Sequence, residues 1–121
     1  MSAAVVLGIG VLGGIGAIAR VLLDRAIMRR VRGGLPLGIL AVNVSGALAL
    51  GVLVGVAPGE DVVRLVGAGL LGAYTTFSTW MLDSELLARE GRRDLGALNL
   101  VATLALGLFA VWLGRRLGMA F

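Results

Sequence analysis

Four long apolar runs separated by short charged clusters organise the whole chain. The first carries no charge from Met1 to Ala19 and stays apolar past Arg20 to Leu23, which predicts a helix over about 3–23 with one arginine inside it near one end. The second run, Gly33 to Gly59, opens near Pro36 and closes at Pro58-Gly59, giving a helix over about 35–56 whose only strongly polar side chain is Asn43. In the third span, about 62–87, Gly67, Gly69 and Gly72 run into Thr75-Thr76-Phe77-Ser78-Thr79. Glycines followed by a hydroxyl cluster make a poor continuous helix, so this span is expected to break near 72–78. Unwound backbone at membrane depth must be buried in protein or line a wet cavity, which makes the break a candidate functional site. A fourth run over about 95–114 is closed by Arg115-Arg116. Four spans of about 20 residues consume nearly all of residues 1–121, so the chain reads as a single four-helix transmembrane domain.

Composition agrees: 59% of residues are apolar and 15% charged, and the mean hydropathy is +1.01. The absence of His and Cys removes disulfides, imidazole or thiolate metal sites, and catalysis by Ser-His or Cys-His pairs, so no enzyme is expected. The formal charge of +4 comes from arginines clustered between the apolar runs, where they anchor loops and form no nucleic-acid-binding face. Ala17-Ile18-Ala19 resembles a signal-peptide cleavage site, but no basic segment precedes it and Arg20 follows directly, so the first run reads as a span.

Several motifs carry two readings. Gly8-Ile9-Gly10-Val11-Leu12-Gly13 has the glycine spacing of a dinucleotide-binding loop, yet no strand precedes it and no acid lies about 20 residues on. Small-residue packing explains it better: Gly10 and Gly14, like Gly51 and Gly55, are four apart and suit close helix approach in a bundle or an oligomer. Arg20 inside a span costs about 2.5–3.5 kcal/mol unless it faces protein or water, or snorkels to the interface. Asn43 suits either a helix–helix hydrogen bond or a pore-lining donor. Asn99 and Thr103, four apart with Gly107 below, form one polar stripe that is either packing glue or a permeation track. Phe77 and Trp80, three apart, either pack a core or turn their positive ring edges toward an anion.

Three segments together, Gly13-Gly14-Ile15-Gly16-Ala17-Ile18-Ala19-Arg20, Gly38-Ile39-Leu40-Ala41-Val42-Asn43-Val44-Ser45-Gly46 and Gly72-Ala73-Tyr74-Thr75-Thr76-Phe77-Ser78-Thr79-Trp80, resemble in order and spacing the small bacterial fluoride channels of the Fluc (CrcB) family. The resemblance implies an all-α membrane protein of four transmembrane helices, the third broken mid-membrane, assembled as an antiparallel dual-topology dimer with two pores in the bacterial inner membrane. It implies passive export of cytoplasmic fluoride, which relieves fluoride toxicity. It also implies a structural sodium ion at the dimer centre, held by the backbone carbonyls of Gly72 and Thr75. Asn43, Phe77, Trp80, Asn99 and Thr103 would then line the pore, with Arg20 and Asp83 in structural or vestibule positions. Two positions depart from the family pattern: Trp80 stands where Phe is usual, and Asp83 where Glu is usual. The indole offers a ring edge and an N–H donor but could narrow the path.

Two other functions compete. A proton-coupled small multidrug exporter needs a carboxylate deep in the membrane, whereas all seven acids lie in loops or at span ends. A non-conducting membrane subunit would need only the packing glycines. The arginines bear on the partner: Arg25, Arg29, Arg30, Arg32, Arg89, Arg92 and Arg93 fall on one side, seven against the three of Arg64, Arg115 and Arg116. A homodimer inserting both ways needs near balance, so this bias raises the alternative of a heterodimer with an oppositely oriented homologue.

Overall fold

The computed structural model describes all 121 residues, a set of helices joined by short turns and without strands. Helix α1 spans Ala3–Met28, its first turn capped by the Ser2 hydroxyl, which accepts from the Val5 N–H at 3.2 Å. It passes Leu23 and continues through Asp24 and Arg25, because a charge ends the hydrocarbon passage without ending the helix. Helix α2 spans Leu37–Val56 after Pro36 and stops at Ala57, which adopts a left-handed conformation (φ 53°). The third span is composite: α3 (Glu60–Val62), a π-helical segment (Val63–Leu71) and α4 (Gly72–Tyr74), then after Thr75 and Thr76 the helix α5 (Phe77–Arg89). Helix α6, Arg93–Met119, outruns its predicted span at both ends. Only α1, α2 and α6 are by themselves long and apolar enough to cross a membrane. The remaining crossing is made of pieces.

The break is narrower than the sequence suggests. Gly67, Gly69 and Gly72 stay helical, in wider π turns and the short α4 that follows, and only Thr75 (ψ 159°) and Thr76 (φ −149°, ψ 123°) are extended. Close packing against α1 offsets the poor propensity of Gly69: a Cβ on Gly16 would overlap the Leu70 carbonyl oxygen, and one on Gly69 would lie 3.1 Å from Ile9 Cα.

The most extensive helix contact joins α2 to α6. Gly51 and Gly55 face the α6 backbone at Val111 and Arg115, while Gly114 and Gly118 face the α2 backbone at Leu48 and Val52, so that a Cβ at any of the four would overlap a carbonyl oxygen. Without a hydrophobic driving force between helices in lipid, this interlock of small residues supplies the dispersion contact that holds the pair. The Gly10 and Gly14 expectation is corrected within the chain: both face open space, and Gly13 and Gly16 make the close approach. Few apolar side chains are buried, namely Val5, Ile39, Val42, Leu87 and Ala110, as suits a protein whose outer Leu, Ile and Val side chains meet acyl chains.

Candidate functional site

Asn43 of α2 decides where the third span breaks. Its Oδ1 accepts from the Thr76 N–H at 2.8 Å and its Nδ2 donates to the Thr76 carbonyl at 2.9 Å, so one side-chain amide satisfies both backbone groups of an extended, buried residue. The Thr76 N–H is thereby withheld from the Gly72 carbonyl, its partner in a continuous helix. Thr76 then caps α5, its Oγ1 accepting from the Thr79 N–H at 3.3 Å. That second diversion frees the Thr75 carbonyl. Arg20 reaches this carbonyl from α1, Nη1 donating at 3.5 Å, so its guanidinium faces protein at the level of the break and not the interface. On the other side of the break the Tyr74 and Ser45 hydroxyls are hydrogen-bonded at 2.9 Å, a second tie from α4 to α2.

A groove of about 370 Å³ opens beside the break, lined among others by Asn43, Gly72, Thr75, Phe77, Trp80 and Thr103. Phe77 is 70% exposed and meets Trp80 edge to face, with ring centroids 5.7 Å apart and planes at 87°. The Trp80 indole N–H is already committed, donating to the Asn99 carbonyl at 3.3 Å, so Trp80 offers the groove a ring and not a donor. Thr103 is buried at 4% exposure and its Oγ1 has no hydrogen-bond partner. A buried hydroxyl left unmatched beside a groove is a ready donor for a small anion.

The polar stripe of α6 divides between two tasks. Thr103 lines the groove, but Asn99 does not: it is buried, and its Nδ2 donates to Ser84 Oγ at 2.9 Å. Ser84 in turn donates to the Trp80 carbonyl at 2.9 Å, closing a small network between α5 and α6. Ser84 did not stand out in the sequence, although it lies one helical turn after Trp80 and so shares its face, and Thr76 was legible only as one of the hydroxyl cluster. Asp83 does not line the groove. It borders a separate pocket of about 230 Å³ together with Asp24, Glu90, Met28 and Pro36.

For a hard cation at the break, donor type is favourable: Gly72 and Thr75 both carry carbonyls released from helical bonding, and hard cations take oxygen ligands. The carbonyls of Ala73 and Tyr74 are released with them, and that of Thr75 already accepts from Arg20.

The chain matches a family described as CrcB-like protein, Camphor Resistance (CrcB), over residues 7–115. It is 42% identical over 115 residues to the "Fluoride-specific ion channel FluC 2" of Mycobacterium bovis, covering 95% of this chain and 91% of that protein. To the "Fluoride-specific ion channel FluC 1" of Rubrobacter xylanophilus it is 48% identical over 106 residues, 87% of this chain and 86% of the relative. The corresponding figures for "Fluoride-specific ion channel FluC 1" of Symbiobacterium thermophilum are 44% over 116 residues, 91% and 94%. The matched region runs from the first turns of α1 to the basic end of α6 and so includes Arg20, Asn43, the Thr75–Thr76 break and the whole groove; the chain belongs to the CrcB family.

Proposed function

We propose that this protein is a fluoride-selective channel through which cytoplasmic fluoride leaves passively across the cell membrane. The observation that carries the reading is the groove beside the Asn43-pinned break, in a chain whose relatives bear the name of fluoride-specific ion channels. Fluoride is small and strongly hydrated, so a path that admits it must replace water with donors while holding no fixed charge tight enough to trap it. The Thr103 hydroxyl is one donor. Asn43 offers another, since its Nδ2 carries two hydrogens and spends one on Thr76. The positive edge of the exposed Phe77 ring supplies a third, uncharged, contact.

A single protomer leaves this groove open on one side, and we assign its closure to a second, antiparallel copy. In that dimer the Gly72 and Thr75 carbonyls of both chains would surround a sodium ion, which lends the break a fixed positive charge and rigidity. Arg64 is paired with Glu60 and Asp61 at 3.5 Å each and Arg89 with Glu85 at 3.1 Å, one arginine on each side, so ion pairing leaves the seven-against-three bias in the same direction. That bias favours an orientation with both long basic loops in the cytoplasm and an oppositely oriented homologue as partner. The homodimer of dual topology is the simpler assembly. C-terminal reporters active on one side of the membrane separate the two: equal signals identify dual topology, and an external signal alone identifies a fixed orientation.

Passive efflux from liposomes containing only this protein tests the function. Rapid fluoride release with chloride retained is the expected result. Release of neither ion by folded homodimer would overturn a self-sufficient channel, and equal release of both would overturn selectivity.

A further inference from the structure

The basic end of α6 carries a cluster that the groove does not use. Phe109 and Trp112 stack with centroids 6.0 Å apart and planes at 30°, and the Arg116 guanidinium lies 5.5 Å from the centre of the Trp112 ring. Helical spacing places these three on one face. Gly114 and Gly118 point the other way, into α2, and Gly107 and Val111 face the groove. The aromatic face therefore looks out of the protomer, with Phe109 57% and Trp112 55% exposed.

Arg115 and Arg116 follow Trp112 by three and four residues and so straddle it one turn further on. Neither has an acidic partner, because the ion pairs are Arg64 with Glu60 and Asp61, and Arg89 with Glu85. The two acids at the start of α3, at the same end of the molecule, are thus already engaged. Below the cluster the same helical face continues as exposed Leu98 and Val101. An aromatic pair between an apolar stripe and two free cations is the arrangement expected at the depth of lipid headgroups.

We infer that this cluster is a binding site for an anionic phospholipid: Arg115 and Arg116 hold the headgroup phosphate, Trp112 and Phe109 support the glycerol region, and the apolar stripe carries an acyl chain. The stripe is what favours a lipid over free phosphate, since a soluble anion has no use for it. Stacking over the indole pre-orders the Arg116 guanidinium, so less side-chain freedom is lost on binding.

Trp80 and Trp112 are the two tryptophans, so in a Trp80→Phe background Trp112 fluorescence reports the site alone. The protein is reconstituted in phosphatidylcholine bilayers, and quenching by acyl-brominated phosphatidylglycerol is compared with quenching by brominated phosphatidylcholine. A preference for the anionic lipid of at least about fivefold is expected, from about one such factor per arginine near the surface. Arg116→Gln reduces it and R115Q/R116Q brings it to parity, while R25Q/R29Q at the opposite end leaves it unchanged. Parity in the background protein, or a preference that survives R115Q/R116Q, overturns the site. So does an equal loss in R25Q/R29Q, which would reduce the effect to overall charge. Millimolar inorganic phosphate leaves the preference intact if the occupant is a lipid, and competition by phosphate would refute that occupant.

Discussion

The α2–α6 seam and the Thr75–Thr76 break solve opposite problems in one small molecule. At the seam four glycines bring two backbones into contact, and every nearby carbonyl keeps its helical hydrogen bond. At the break the helix gives up the bonds from the N–H groups of residues 76–79 to the carbonyls of 72–75, and Asn43, Thr76 and Arg20 supply side-chain partners for some of the freed groups. The seam gains rigidity from the absence of side chains, the break gains chemistry from their presence. The difference predicts that substitutions at the seam act on folding, while substitutions at the break separate folding from conduction.

The largest effect is expected from Gly114→Leu, whose side chain would collide with the Leu48 backbone. Overpacking of this kind costs about 1–3 kcal/mol or more where backbone must yield, so folded protein should be lost from size-exclusion profiles in mild detergent. Gly10→Leu meets nothing within its own chain and should still give a folded protomer. If both variants fold equally well, the seam is not what holds the bundle.

Asn43→Leu comes next. It strips the buried Thr76 N–H and carbonyl of their partners, a cost of about 1–3 kcal/mol in stability, and should lower fluoride efflux at least tenfold because the break loses its register. Unchanged efflux would show that the backbone holds its extended form unaided.

Phe77→Ile removes a ring edge from a side chain that is 70% exposed, so the thermal midpoint of the protomer should hold. Efflux should fall about tenfold, equivalent to about 1.4 kcal/mol. A smaller and more telling effect is expected at Thr103, where Thr103→Val removes an unpartnered hydroxyl. Stability should stay level or rise while efflux drops a few-fold. A fall in stability would mean that the hydroxyl serves packing instead. Smallest of all, Trp80→Phe should change efflux less than twofold, since the indole N–H is spent on the Asn99 carbonyl, and its cost of about 0.5–1.5 kcal/mol should appear only in the melting midpoint.

Much of this was legible in the residue order. Four apolar runs announced four crossings, the two prolines bracketed α2, and the Thr-Thr-Phe-Ser-Thr core marked both the break and its family. Hydropathy sees how apolar a stretch is, and the bilayer enforces that on every crossing alike. Gly51 and Gly55 were legible as close-packing positions for the same reason, because spacing alone places them on one helical face.

What the residue order left open was which partner each polar or small group finds. Gly10-Gly14 and Gly51-Gly55 share one spacing, yet only the second pair meets a helix within the chain. Asn99 and Thr103 share one stripe, yet Ser84 claims the first and the groove receives the second. The glycines at the start of the expected break stay helical, Gly69 packed on α1 and Gly67 beside Leu53 of α2, and within the expected range the break is confined to where Asn43, more than 30 residues earlier, pairs with Thr76. Helical periodicity repeats every few residues and can be read locally, so the sequence alone determined the spans, their faces and the family. The partners of Asn43, Asn99, Arg20 and Trp80 lie 15 to 55 positions away, and only the folded arrangement, in which each buried donor must find an acceptor, decided them.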